Sequence, residues 1–284
     1  MVRTMRSIEE EARVHRIAGT SDETFLADAD LADVLEGDIL KDLIAWGTDG
    51  VRRALVVGLE DRGRLPLALA KAGVFVTIVE PDESLHEPVK VAADAARCGI
   101  QMNFYASDYM KRDFAASGFD LAVFYAALSN YNEPLVVLKK AARELRAGGR
   151  LFARVRVRPS LAPVARMVGR LPHGAEIIQK AGALAARVPR VQSVLGLPDG
   201  AALLDGAAEV FKIERTVRYH LIAPVLGRLG PHPAMPGRQW LAKAVPAAVR
   251  ADALALRIRP LALLASHLAI FGVKELGLGR TFRV

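Results

Sequence analysis

The 284-residue sequence holds a single cysteine, Cys98. That excludes a disulfide framework and a cysteine-built zinc site, and the thiol is expected to be reduced and buried. Aromatic residues make up only 6%, few for the stacking platforms that grip nucleic acid. Long apolar runs are missing too. The longest uncharged one toward the end, PLALLASHLAIFGV at 260–273, falls short of the ~20 residues a membrane-spanning helix needs. The opening MVRTMRSIEEEARVHRI has acids where a secretory signal needs an apolar stretch. A soluble, cytoplasmic protein is expected. His15, His86, His173, His220, His232 and His267 are scattered without ligand spacing, so no metal site is expected. There is no Gly-x-Ser-x-Gly elbow and no Walker-type loop.

Hydrophobic residues are 52% and charged residues 25%, the composition of a chain that buries a core. Acids are scarce in one half only. Residues 1–150 carry 19 basic and 24 acidic side chains, whereas 151–284 carry 20 basic and 7 acidic, so the formal net of +8 describes neither half. A basic half favours an anionic partner or surface. The alternative is a solvated arginine bias. Nucleic acid is not expected as a partner, because the arginines are dispersed rather than clustered.

Strand-like and helix-like patterns alternate through the middle of the chain, the signature of βαβ units and a mostly parallel sheet. Strands are expected at 53–58, 74–80, 101–107, 120–126 and 150–157, with helices at 64–72, 83–97 and 134–146 between them. An acidic helical region, 1–48, comes first, with an apolar stripe through Leu35, Ile39, Leu43 and Ile44. The cofactor half of the core then spans 49–158. A C-terminal half, 159–284, carries two proline-broken helical insertions (159–198 and 221–264), a helix at 199–208, and strands at 209–218 and 267–275.

In an open α/β sheet, ligands lie beyond the carboxyl ends of the strands. The first strand-to-helix turn there is Gly58-Leu59-Glu60-Asp61-Arg62-Gly63, where glycine lets backbone approach a ligand. Glu80, closing the second strand ahead of Pro81, can accept both hydroxyls of a ribose. Asp108, after the third strand in ASDYM, can accept an adenine amino group. Each also has an ordinary structural role, as turn, loop carboxylate or helix cap. Their common place at successive strand ends is what joins them.

The runs ALVVGLEDRGRLPLALAKAGVFVTIVEPDES, FYASDY and FDLAVFYAALSNYNEPLVVLKKAARELRAGGRLFARV resemble the class I S-adenosylmethionine-dependent methyltransferases. The resemblance is continuous over 52–157 and returns at VFKIERTVRY and HLAIFGVKE. It implies a doubly wound, Rossmann-like seven-stranded α/β sheet with the last strand antiparallel and helical cap insertions. It further implies S-adenosyl-L-methionine across Gly58, Leu59 and Gly63, its ribose at Glu80 and Pro81, its adenine at Ser107, Asp108 and Tyr109. Phe124, Tyr125 and Ala126 would line the methionine end. A proton-accepting role falls to His220, with Tyr125 and Tyr131 behind it.

The turn departs from the family pattern. Counted back from Gly63, the usual acidic position is Val57, and two glycine positions are Leu59 and Asp61. A bulky leucine and two carboxylates are expected to crowd and repel the methionine carboxylate, with Arg62 offsetting part of the repulsion. The implied activity is methyl transfer to a small-molecule or lipid-like acceptor. The alternative is a methyltransferase-like protein that keeps the fold only to bind. Residues 241–264 loosely fit a helix resting on an anionic lipid surface, or a cap helix packed on the sheet. Nothing in the sequence separates O-, N- and C-methylation or sets an oligomeric state.

Overall fold

The computed structural model describes residues 40–59, 61–158, 173, 176, 179, 197–219, 247–248, 250–252, 254–257 and 265–275. The expected helices before residue 40, nearly all of both helical insertions, Glu60 and His220 lie outside these residues.

Seven strands form one sheet in the order β3-β2-β1-β4-β5-β7-β6. They are β1 Arg53–Val57, β2 Phe75–Val79, β3 Met102–Tyr105, β4 Phe119–Tyr125, β5 Leu145–Arg156, β6 Lys212–Tyr219 and β7 His267–Val273. Strands β1 to β5 pair in parallel, and β7 runs antiparallel between β5 and β6. The expected antiparallel last strand is therefore present. Among the described residues no helix is long and apolar enough to cross a membrane.

The short β-branched runs are buried on both faces, as parallel strands between helical layers must be. Alternate residues go to opposite sides. Leu55, Val57, Phe124 and Ala153 face one apolar layer, and Ala54, Val56, Val123 and Phe152 face the other. The first layer is closed by α3 (Pro134–Glu144) and α4 (Gly200–Ala208), through Val137, Ala141 and Leu203. The second is closed by α1 (Arg64–Lys71) and α2 (His86–Ala95), through Leu65, Leu69 and Val89. Helical residues 40–48 add Leu43 to that side. The sheet is doubly wound.

The departures from expectation that matter most are at the starts of β5 and β6. The helix α3 ends at Glu144 and β5 starts at once with Leu145, which pairs with Phe119 before the register jumps to Leu121 opposite Arg150. The residues Arg146 to Gly149 bulge out, held by the Gly148 N–H on Lys274 O and the Lys274 N–H on Gly149 O. Burial of Leu145 in the core pulls the chain back into the sheet ahead of the two glycines. Strand β6 starts at Lys212 rather than 209, because Val210 and Phe211 N–H groups still donate to Ala207 O and close α4, with Phe211 buried.

Candidate functional site

The β1–α1 turn is shaped by its two glycines. Gly58 has φ +90° and Gly63 has φ +77°, the left-handed region where only glycine is free of Cβ strain. Gly63 is also a packing site, since a Cβ there would lie 2.3 Å from Val89 Cγ2 on α2. Leu59 does not crowd the turn. Its side chain is buried in the α1/α2 side of the core, which corrects that expectation. Asp61 is also turned inward. Its Oδ1 accepts from Gly63 N–H at 3.0 Å and its Oδ2 from Leu65 N–H at 2.6 Å. The carboxylate thus caps α1 and meets the positive end of its dipole. These two amides are consequently engaged by the protein's own anion.

Glu80 closes β2 and is buried. Its carboxylate accepts from Leu59 N–H at 3.3 Å and from Asp82 N–H at 3.1 Å. Its backbone N–H donates to Tyr105 O, and its carbonyl accepts from His86 Nε2 at 3.1 Å. One residue therefore ties the ends of β1, β2 and β3 together. Pro81 beside it is exposed.

Asp108 follows β3 and is partly exposed. Its Oδ1 takes both of its described hydrogen bonds, from Met110 N–H at 2.8 Å and from the Tyr131 hydroxyl at 3.4 Å. Ser107 donates its hydroxyl to Asp108 O at 3.1 Å. Tyr109 departs from expectation. Its side chain is fully buried and donates to Glu144 Oε2 at 2.6 Å, so its ring belongs to the core and not to an open crevice. Burial, reinforced by the Glu144 carboxylate, pushes its phenol well above the ordinary tyrosine range.

At the end of β4, Phe124 is buried in the α3/α4 layer and Tyr125 in the opposite one. Tyr125 stacks on Phe152 at 6.4 Å, with the Arg154 guanidinium 5.0 Å above its ring. Arg154 also lies 5.8 Å from the Tyr219 ring, which in turn stacks on His267 at 5.5 Å. Burial in this core group takes Tyr125 away from the crevice-lining, proton-transfer role expected of it. Tyr131 is likewise buried and serves as the hydroxyl partner of Asp108. Ala126 turns the chain with φ +64°, and its N–H donates to Arg154 O at 3.0 Å. Non-glycine residues held in this region mark strained turns.

Residues 56–153 match the family described as Methyltransferase domain. Over that span the chain is similar to a methyltransferase domain, and its sheet has the class I methyltransferase fold. No curated protein matches the chain in sequence. Among solved structures, the 4+2 cyclase SpnF is similar at 20% identity and TM-score 0.55, covering 84% of this chain and 81% of its own. A sarcosine dimethylglycine methyltransferase, so described, from Galdieria sulphuraria matches at 12% identity and TM-score 0.54, covering 84% of each chain. The N-methyltransferase NodS from Bradyrhizobium japonicum WM9, in complex with S-adenosyl-L-homocysteine, matches at 12% identity and TM-score 0.51, covering 94% of this chain and 98% of its own. At such identities these likenesses establish the fold.

Gly58, Glu80, Ser107, Asp108 and Ala126 lie at the carboxyl ends of adjacent strands β1 to β4. The adenosyl end fits the residues present, because Asp108 Oδ2 bears none of the described hydrogen bonds. At the turn, Asp61 already holds the helix amides. Sequence reasoning missed the buried Lys140–Glu144 pair, 2.8 Å apart. A signal for it exists, since Val136, Lys140 and Glu144 repeat every fourth residue along one stripe of α3.

Proposed function

We propose that this protein transfers a methyl group from S-adenosylmethionine to a small-molecule or lipid-like acceptor. The observation that carries the reading is the placing of Glu80 and Asp108 at neighbouring strand ends, with Glu80 bonded to the Leu59 amide of the β1 turn. Glu80 would hold the ribose and Asp108 Oδ2 the adenine amino group. S-adenosylmethionine supplies a methyl on a sulfonium, whose leaving group needs no protonation. The chain's part is alignment of the acceptor and exclusion of water. His220 is proposed as the group that takes the acceptor's proton where one must be lost. The basic second half supports an acceptor, or a peripheral surface, with anionic character, and a cytoplasmic setting belongs to the same proposal. Calorimetric titration with S-adenosylmethionine and S-adenosylhomocysteine tests the cofactor. S-adenosylhomocysteine binding that is weakened about tenfold or more in Asp108→Ala supports it, and no heat at millimolar ligand with the wild-type chain overturns it.

A second reading is favoured by Asp61. Its carboxylate sits on the amides of the turn, which supports a binding module that keeps the fold without turnover. SpnF, described as a cyclase, illustrates that the fold serves more than one chemistry. Methyl transfer from labelled cofactor into a cell-extract fraction separates the two, since only the first reading predicts incorporation.

A further inference from the structure

The loop after β3 is fastened from below by a group of buried charges. Glu144, the last residue of α3, is buried. Its Oε2 accepts from the Tyr109 hydroxyl at 2.6 Å, and its Oε1 accepts from Phe114 N–H at 3.4 Å. The same Oε1 lies 2.8 Å from Lys140 Nζ, which is 3.2 Å from Asp113 Oδ1 and 5.1 Å from the centre of the Tyr109 ring. One carboxylate therefore grips the loop at both ends, at Tyr109 and at Phe114. Asp108 sits immediately before the first grip.

Burying Lys140 and Glu144 is a costly way to hold a helix against a loop. Desolvation of a buried ion pair often cancels its attraction, and apolar residues of similar size are commonly as stable or more so. What the pair supplies and apolar packing does not is direction. A hydroxyl and an amide, each bonded to a fixed oxygen, set the rotation of the turn Tyr109–Lys111 as well as its depth. That turn fixes Asp108 in turn, because Met110 N–H, inside it, donates to Asp108 Oδ1. The Tyr131 hydroxyl on the same oxygen leaves Oδ2 as the face offered to a ligand.

We infer that Glu144 is a positioning residue for purine recognition: through Tyr109 and the Phe114 amide it holds Asp108 where its carboxylate selects a 6-amino purine over a 6-oxo one. The inference rests on the reading of Asp108 as the adenine end of an adenosyl site. Selection follows from hydrogen-bond sign. An amino group donates to the carboxylate, whereas a 6-oxo group presents a second acceptor to it and is repelled.

The test uses the full chain and two ligands, S-adenosylhomocysteine and S-inosylhomocysteine, with the ratio of their dissociation constants as readout. The wild-type ratio is expected to be about tenfold or more, the worth of one hydrogen bond to a charged group. Asp108→Ala brings it toward unity. Tyr109→Phe keeps the buried ring and removes only the bond to Glu144. It is expected to lower the ratio toward unity by weakening S-adenosylhomocysteine while leaving S-inosylhomocysteine unchanged. Glu144→Gln, which retains an acceptor oxygen for the hydroxyl, is expected to keep more of the ratio than Tyr109→Phe. Faster hydrogen exchange at the Met110 amide in Tyr109→Phe, beyond the change at core amides of the other strands, gives a measure independent of ligand. Equal weakening of both ligands, or a wild-type ratio in Tyr109→Phe alongside a collapsed one in Asp108→Ala, overturns the inference and leaves the adenosyl reading standing. A wild-type chain that binds neither ligand overturns both.

Discussion

Replacing Gly63 by alanine tests how the β1–α1 turn is built, because two separable penalties meet at one atom. The first is conformational. At φ +77° an L-residue sets its Cβ against the following carbonyl, costing about 1–2 kcal/mol. The second is steric. The new Cβ would lie 2.3 Å from Val89 Cγ2 and 2.7 Å from Cγ1, and a β-branched side chain has no second rotamer to retreat into easily. Overpacking of this kind costs about 1–3 kcal/mol. The expected loss is therefore about 2–5 kcal/mol in all. Val89→Ala alone leaves a small cavity, costing about 0.5–3 kcal/mol. In the double variant the clashing methyls are gone and the backbone strain remains. The two changes should then cost less together than their sum, by about the 1–3 kcal/mol of overpacking. Urea unfolding followed by circular dichroism reads this as shifts of midpoint at constant slope. A Gly63→Ala variant within about 0.5 kcal/mol of wild type, or strictly additive costs, would refute the close approach of α1 and α2 at this glycine.

The fold was legible because its strands are short apolar runs punctuated by glycine and its helices carry one apolar stripe. Strands β1 to β4, with α1 and α2, fall where those patterns place them. The two shifted boundaries arose where tertiary burial outweighed local punctuation. Leu145 enters the sheet although two glycines follow, and Phe211 stays with α4 although it looks like strand. The candidate site was legible in part and for a definite reason. Gly58, Glu80 and Asp108 announce themselves by following strands, which is a property of order along the chain. Whether a residue within a turn faces ligand or core is not. Leu59 and Tyr109 sit beside those positions, yet both are buried. Nor did residue type reveal what Asp61 does, since a carboxylate in a glycine turn reads as a repulsive charge until its two amide partners are seen. Lys140 and Glu144 went unnoticed as charged residues on a helix, although their spacing from Val136 puts them on its buried face.

Two further predictions concern stability against pH and capping. Asp199 caps α4 by accepting from Ala201 and Ala202 N–H groups at 2.8 and 3.4 Å, so Asp199→Ala should cost about 1 kcal/mol in urea unfolding. The Ala201 amide first, then the Ala202 amide and Arg158, lowers its pKa, so this contribution is present above the unfolded carboxyl pKa. It should fade as pH falls through the folded one, and an unchanged Asp199→Ala difference in acid would count against the cap. Tyr109 works in the opposite direction. Burial first and the Glu144 carboxylate second raise its phenol pKa well above the ordinary value, so in alkali the unfolded chain loses this proton before the folded one does. The unfolded state then binds fewer protons, and stability must fall as pH rises past the ordinary tyrosine value toward the folded one. In Tyr109→Phe that alkaline loss should shrink, even though the variant forfeits the bond to Glu144 at neutral pH. The phenolate absorbance of the folded wild type should correspondingly show one late-titrating tyrosine that Tyr109→Phe lacks. A Tyr109 that ionises in the ordinary tyrosine range, before unfolding, would mean that its hydroxyl is not sealed against Glu144, and the grip on the Asp108 turn would lose its anchor.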